Sequence, residues 1–193
     1  SMSTENKEPE TNKNVITSGP ASQGSITIQS QQQQKTGPHD FFAKGQVEIH
    51  YQDMLLKANE VRGNDETGNV EGEGDVYFEQ GQQKVHGNRF SFNLKTKTGV
   101  FYEVKGRVDP GFIFEAAEVE KVGEGRYRVK NGIVTACEDR VPKWSFSVKE
   151  GFLHVDQHIV MRNALFKIKR APLFFSPYFF APTTDTSRQS GFL

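Results

Sequence analysis

Apolar and polar residues alternate along most of this chain with a period of two. Ile26 and Ile28 interleave with Ser25, Thr27 and Gln29; Val47, Ile49 and Tyr51 interleave with Gln46, Glu48 and His50. Val70, Gly72, Gly74, Val76 and Phe78 share one parity, and Phe90, Phe92 and Leu94 share another. The second half continues with Phe112 and Phe114, Tyr127 and Val129, Thr135 and Cys137, then Trp144, Phe146 and Val148. Successive side chains of a strand point to opposite faces, so this period predicts strands with one apolar face each. Turn formers separate the runs at Gly63-Asn64-Asp65, Thr67-Gly68-Asn69, Gln80-Gly81-Gln82, Thr96-Lys97-Thr98-Gly99 and Gly123-Glu124-Gly125, with Asn131-Gly132 as a turn or bulge. Nowhere do apolar residues hold a helical period over three turns. Strands at about 8–12-residue spacing predict an all-β sandwich, barrel or roll of antiparallel strands.

Order is expected to begin near Gly24. Residues 1–23 carry Met2, Val15, Ile16 and Ala21 as their apolar residues and no aromatic, too little burial to offset chain entropy, so they read as a disordered tail. Ser1-Met2-Ser3 resembles a cloning remnant, and the ends read as those of a fragment of something longer. The Gln31–Gln34 run fits a polar linker or an exposed edge strand, the latter continuing the alternation before it. At the other end, Ala171–Pro182 places Pro172, Pro177 and Pro182 among aromatics. Proline removes ladder donors and forbids a helix, which predicts an extended, kinked apolar segment packing on something.

A repeat runs through the first half. Gly45-Gln46-Val47-Glu48-Ile49 recurs 29 residues later as Gly74-Asp75-Val76-Tyr77-Phe78, and Ala58-Asn59-Glu60-Val61 recurs as Gly87-Asn88-Arg89-Phe90. Such self-similarity predicts stacked hairpins whose apolar faces line one interior.

Composition narrows the function. With 24 basic and 24 acidic residues the chain has no net charge, which disfavours a broad phosphate-binding face. The longest uninterrupted apolar run is Tyr178-Phe179-Phe180-Ala181, far short of the about 20 residues a spanning helix needs. One Cys excludes an internal disulfide framework and any Cys-based zinc finger.

No catalytic constellation emerges. His154 and His158 are four apart, but the flanks read as strand, which would separate them by about 13 Å at about 3.3 Å per residue, too far for one metal. No His-x-His pair of the cupin kind occurs, nothing local activates Cys137, and Gly63, Gly68, Gly72 and Gly74 form no phosphate loop. Arg126, Arg128 and Lys130 share a strand face, as do Lys167 and Lys169; a solvated face accounts for them better than lipid phosphates. No metal or cofactor is expected.

The C-terminal stretch carries a resemblance. Arg162–Tyr178, with Pro172-Leu173-Phe174-Phe175-Ser176-Pro177-Tyr178, then Pro182 and Arg188-Gln189-Ser190-Gly191-Phe192-Leu193, is similar to the junction in the LptD family of lipopolysaccharide-assembly outer-membrane proteins. There a P-x-x-Y/F-x-P-Y element and an R-x-S-G-F-L element join a periplasmic jelly roll to a transmembrane barrel. Gly45-x-Val47, Ala58-Asn59-Glu60-Val61, Gly74-x-Val76 and Gly87-Asn88-Arg89 resemble the hairpin pattern shared by the LptA, LptC and LptD periplasmic folds, and Thr135-Ala136-Cys137 followed by Trp144 is similar to the family's T-x-C…W pair. The resemblance covers about residues 24–193; the polar tail before them matches no shared feature.

It implies an antiparallel OstA/LptA-like β-jelly roll over residues 24–183 with an apolar interior groove, and over 184–193 the start of a junction to an absent C-terminal β-barrel. It implies a non-enzymatic role at the periplasmic face of the Gram-negative outer membrane: lipopolysaccharide arrives along a bridge of LptA-type rolls and passes to the barrel, which an LptE-type lipoprotein accompanies. Val47, Ile49, Val76, Phe78, Phe90, Phe92, Phe112, Phe114 and Phe146 have the parity to line the groove, though each also suits a closed core. Ser25, Ile26, Thr27, Ile28, Gln29, Ser30 and Gln31 are the expected edge for strand addition by the bridge. By the same resemblance Cys137 pairs with a barrel Cys, and Pro172, Pro177, Tyr178, Pro182, Arg188, Ser190, Gly191 and Phe192 form the barrel junction. A free-standing LptA-like bridge protein and, from another class, a cupin-like enzyme or sugar-binding jelly roll are the competing readings. The first lacks a reason for the Arg-x-Ser-Gly-Phe-Leu ending, and the second requires a bound metal or a polar cavity.

Overall fold

The computed structural model describes residues 14–18, 26–81, 83–108, 112–135, 143–155 and 157–182, with 14–18, 107–108 and 112 as backbone alone. Every regular element in them is a strand: β1 (Asn14–Ser18), β2 (Ile26–Ser30), β3 (Gln32–Lys35), β4 (Asp40–Tyr51), β5 (Met54–Asn64), β6 (Asn69–Gln80), β7 (Gln83–Asn93), β8 (Thr98–Val108), β9 (Phe112–Gly123), β10 (Arg126–Thr135), β11 (Trp144–His154), β12 (His158–Ile168) and β13 (Ala171–Pro182). They form one 13-stranded antiparallel sheet in the order β1-β2-β4 and then onward to β13, with β3 beside β4. The expected all-β jelly roll is what the chain adopts, its hairpins laid down in sequence order.

The 29-residue repeat has a geometric cause. Gln46 in β4, Asp75 in β6, Glu103 in β8, Asn131 in β10 and Asn163 in β12 all have left-handed backbones, with φ of 46, 44, 52, 51 and 51°. At the same level the ladders break, between Lys44 and Val47, Lys57 and Glu60, and Glu73 and Val76. A residue with positive φ turns the strand sharply, and one such bend in every second strand folds the sheet along a single line. Each long strand therefore gives one half to each of two facing layers. The phenyl rings meet between the layers, Phe78 lying 5.6 Å from Phe92 and 5.1 Å from Phe101 between ring centres. Gly74 precedes one bend at φ 79°, and a Cβ there would come within 2.5 Å of Asn59 Nδ2, so both conformation and space require glycine.

The turns repeat with the same period. Asn64 Oδ1 accepts hydrogen bonds from the N–H groups of Glu66 and Thr67, and Asn93 Oδ1 accepts them from Lys95 and Thr96, all at 2.9 Å. Gln52-Asp53, for which the sequence offers no Gly or Pro, makes the tight β4–β5 turn with Gln52 at φ 52°. Asn131-Gly132 is the bend of β10 and not a hairpin turn.

Two expectations need correction. Asn14–Ser18, placed in the disordered tail, is a strand whose five residues pair with β2 from Asn14↔Ser30 to Ser18↔Ile26. Apolar content underestimates such a segment, because β-branched Val15-Ile16-Thr17 can pair with a strand that is itself anchored by burial. In consequence Ile26–Ser30 is not a free edge: β1 lies on one side and β4 on the other. Ser25, Cys137, Arg188, Ser190, Gly191 and Phe192 lie outside the described residues.

Candidate functional site

Two rows of inward side chains cross the sheet at right angles to the strands. In one layer Ala43, Val61, Gly72, Phe90, Phe101, Val119, Val129, Gly151, Met161 and Phe179 are successive cross-strand partners from β4 to β13. In the other, Ile28, Ile49, Leu56, Phe78 and Val85 run from β2 to β7, and Phe114, Val134, Phe146, Phe166 and Phe174 continue from β9 to β13. Packing changes along both rows. From Ala43 to Phe101 and from Ile28 to Phe78 no side chain is more than 2% exposed. Val129, Val134, Phe146, Met161 and Phe166 are half-buried, and the rows end at Phe179 and Phe174, 39% and 55% exposed. The sandwich is tightly packed over β2–β8, and its inner side chains become more exposed toward β13.

Polar side chains close one end of the packed half. Lys121 in β9 reaches across to donate to Gln80 Oε1 and lies 5.6 Å over the Phe78 ring, while Gln80 donates to Asp53 at 3.2 Å. Beside it the Tyr127 hydroxyl donates to Gln83 Oε1. Burial holds the Lys121 ammonium below its ordinary pKa, the Asp53 carboxylate opposing the shift, and burial pushes the Tyr127 hydroxyl up to about 12. These contacts join the β4–β5 and β6–β7 turns to β9 and β10.

The residues expected to line a groove therefore divide. Val47, Ile49, Val76, Phe78, Phe90 and Phe92 belong to the packed core and touch one another, leaving no room for an acyl chain in this state. Phe114 and Phe146 face the half-open end, and the Phe112 side chain lies outside the described residues. Parity gave Val129, Val134 and Phe166 no distinction from core positions, so pattern alone did not single them out. Pro172, Pro177, Tyr178 and Pro182 lie together on β13, the last strand of the sheet. Leu173, Phe175, Tyr178 and Phe180 are each more than half exposed, so β13 presents aromatic surface on both faces. Apolar exposure on that scale marks a surface that another body covers.

Two of the basic residues expected on one face of β10, Arg128 and Lys130, are engaged. Arg128 binds Glu150 at 2.8 Å and stacks over Phe152, and Lys130 meets Glu118 at 3.5 Å. His154 and His158, expected about 13 Å apart on one strand, are cross-strand partners on β11 and β12 with ring centres 5.7 Å apart. The tight turn closed by Gln157 N–H on His154 C=O falls between them and brings the rings together edge-on, at an interplanar angle of 70°. Among the described residues no three His, Cys, Asp or Glu side chains are placed to hold a metal.

No family model matches the chain. Its curated relatives do. It is 27% identical over 200 residues to LPS-assembly protein LptD of Aromatoleum aromaticum, covering 96% of this chain and 25% of the relative. The same protein of Sodalis glossinidius is 30% identical over 191 residues (92% and 24%), and that of Escherichia coli K12 is 31% identical over 183 (87% and 23%). The chain thus spans about a quarter of the length of these relatives. Nearly all of the folded strands are thus similar in sequence to a part of LPS-assembly protein LptD.

Proposed function

We propose that this chain is the periplasmic β-jelly roll of an outer-membrane lipopolysaccharide translocon, taking lipopolysaccharide from an LptA-type bridge and passing its acyl chains to a C-terminal barrel. The observation that supports this is the gradient along the two inner rows, from solid core at β4–β8 to an open apolar trough at β10–β13. An acyl chain of roughly a dozen methylenes gains up to about 10 kcal/mol by leaving water, at about 0.8 kcal/mol per CH₂. A moving lipid needs such shelter continuously but must also be released. A partly open trough whose walls end in exposed aromatics on β13 meets both needs. The role is one of transfer and assembly, with no bond made or broken by the chain.

On this reading β13 is where the roll meets the barrel, with an LptE-type lipoprotein in the same complex. Pro172, Pro177 and Pro182 stiffen that strand, and Cys137 joins a barrel cysteine by a disulfide. The bridge docks by strand addition at the β1–β3 end of the sheet, since unpaired backbone groups at a sheet's end give about 1 kcal/mol net for each hydrogen bond made.

Photo-crosslinking from positions 114, 146 and 166, in cells producing the full-length protein at the outer membrane, tests the route. Lipopolysaccharide should be captured from these positions and not from 78 or 92. Capture at none of the three, with outward-facing controls behaving identically, sinks the reading.

A further inference from the structure

We infer that β1 is a displaceable cap: a stretch of the chain's own sequence sitting where an incoming strand would pair, which names both the interaction surface and the chemistry of its partner. The sheet has two ends. At one, β13 carries Pro172, Pro177 and Pro182, which lack the N–H groups an added strand would need. At the other, the first edge is divided at Gln31, whose N–H bonds Gly45 C=O at 3.0 Å. Among the described residues its β3 half, Gln32–Lys35, pairs with β4 alone, and its β2 half is covered by β1.

β1 pairs with β2 alone among the described residues. β2 does not depend on β1 for its place. Ile26, Ile28 and Ser30 are buried in the core, and Thr27, Ile28 and Gln29 pair with β4. Removing β1 therefore exposes backbone donors and acceptors on a strand that stays anchored by its side chains. The cap also shows what fits: an antiparallel segment with β-branched residues at successive positions, as Ile16 opposite Ile28 and Thr17 opposite Thr27. Such an edge left bare would pair with any exposed strand, including a second copy, and a tethered cap prevents this until a longer partner spans β2 and β3 together. Only the identity of the natural incoming strand rests on the bridge-docking reading given above.

The test uses the intact chain and its Ile16→Pro variant, in which a proline at the centre of β1 removes a backbone donor and disfavours pairing with β2. The probe is a labelled synthetic peptide of residues 11–21. A short tether gives the cap an effective concentration on the order of 1 mM, so a peptide whose Kd for the open edge is about 0.1 mM or tighter should bind Ile16→Pro about tenfold or more tightly than the intact chain. The β2 amides that face β4 should keep their protection in both, those that face β1 should lose it in Ile16→Pro, and a peptide carrying the same proline should not bind. Equal binding to both chains, or to neither, overturns the cap. A truncated chain beginning at residue 23 serves as the second open form, expected to behave as Ile16→Pro does. A purified LptA-type bridge protein separates the two ideas. If it ignores an open edge that takes the peptide, bridge docking fails and the cap stands. Equal bridge binding to capped and open chains upholds docking and overturns the cap.

Discussion

Lys121 places its ammonium on Gln80 Oε1 and over the ring of Phe78, joining the end of β6 to β9 across the sandwich. A buried lysine is a costly way to close a core unless its charge is compensated, and Asp53, bonded to the same Gln80, supplies the opposite charge nearby. The contact marks the boundary between the packed half of the roll and the half that opens. Phe78 behind it should be worth far more to stability than Phe146 in the open half. Phe78→Ala is expected to cost about 3–5 kcal/mol and Phe146→Ala less than half of that, measured by urea unfolding of the isolated chain. Equal losses would mean that the two ends are packed alike.

Tyr127 gives the same boundary a pH signature. Its hydroxyl has a folded pKa raised from 10.0 to about 12 by burial, so the contribution is intact below pH 10 and is lost as pH rises from 10 towards 12. Lys121 runs the other way, since its folded pKa is lowered: the buried ammonium weighs against folding at neutral pH, and stability recovers as pH climbs toward 10.5. The stability difference between the native chain and Tyr127→Phe should therefore shrink between pH 10 and 12. An ultraviolet titration showing every tyrosine ionising near 10 would refute the buried hydroxyl.

The fold line makes a prediction about single residues. Asn131 is exposed in the middle of β10 with φ 51°, a conformation that costs a β-branched residue about 1–2 kcal/mol more than it costs Asn or Gly. Asn131→Val should destabilise by about that amount and Asn131→Gly should be close to neutral. A Val variant as stable as the native chain would show that the bend does not depend on the left-handed residue.

These bends explain which parts of the fold the sequence discloses. Gly45 and Gly74 are visible as a repeat because both precede a left-handed residue, and alternation of Val76 and Phe78 follows from the pleat. Glu103 and Asn163 hold the same conformation with side chains that advertise nothing, so the second half of the repeat is hidden. Parity assigns Phe78 and Phe146 to the same inward face correctly but is blind to the distance between layers, which is why groove and core looked alike. Strand β1 escapes notice because its stability lies in backbone pairing to a distant segment and not in its own apolar content.

Strand β13 carries the last prediction. Phe175 and Phe180 are 58% and 54% exposed, and Phe175 pairs with Leu165 while Phe180 pairs with Val160. Side chains so exposed contribute little to the monomer, so Phe175→Ser and Phe180→Ser should each change unfolding stability by no more than about 0.5 kcal/mol. An aromatic strand at the end of a sheet has nevertheless to be covered by something, and in the isolated chain the available cover is another copy. The isolated native chain should therefore associate with rising concentration in analytical ultracentrifugation, and the double variant should remain monomeric. In full-length protein the same substitutions should lower the amount of correctly assembled outer-membrane complex without unfolding the roll. A double variant that self-associates as strongly as the native chain would locate the adhesive surface elsewhere. Large unfolding losses from either substitution would mean that β13 is part of the core and not a surface built for a neighbour.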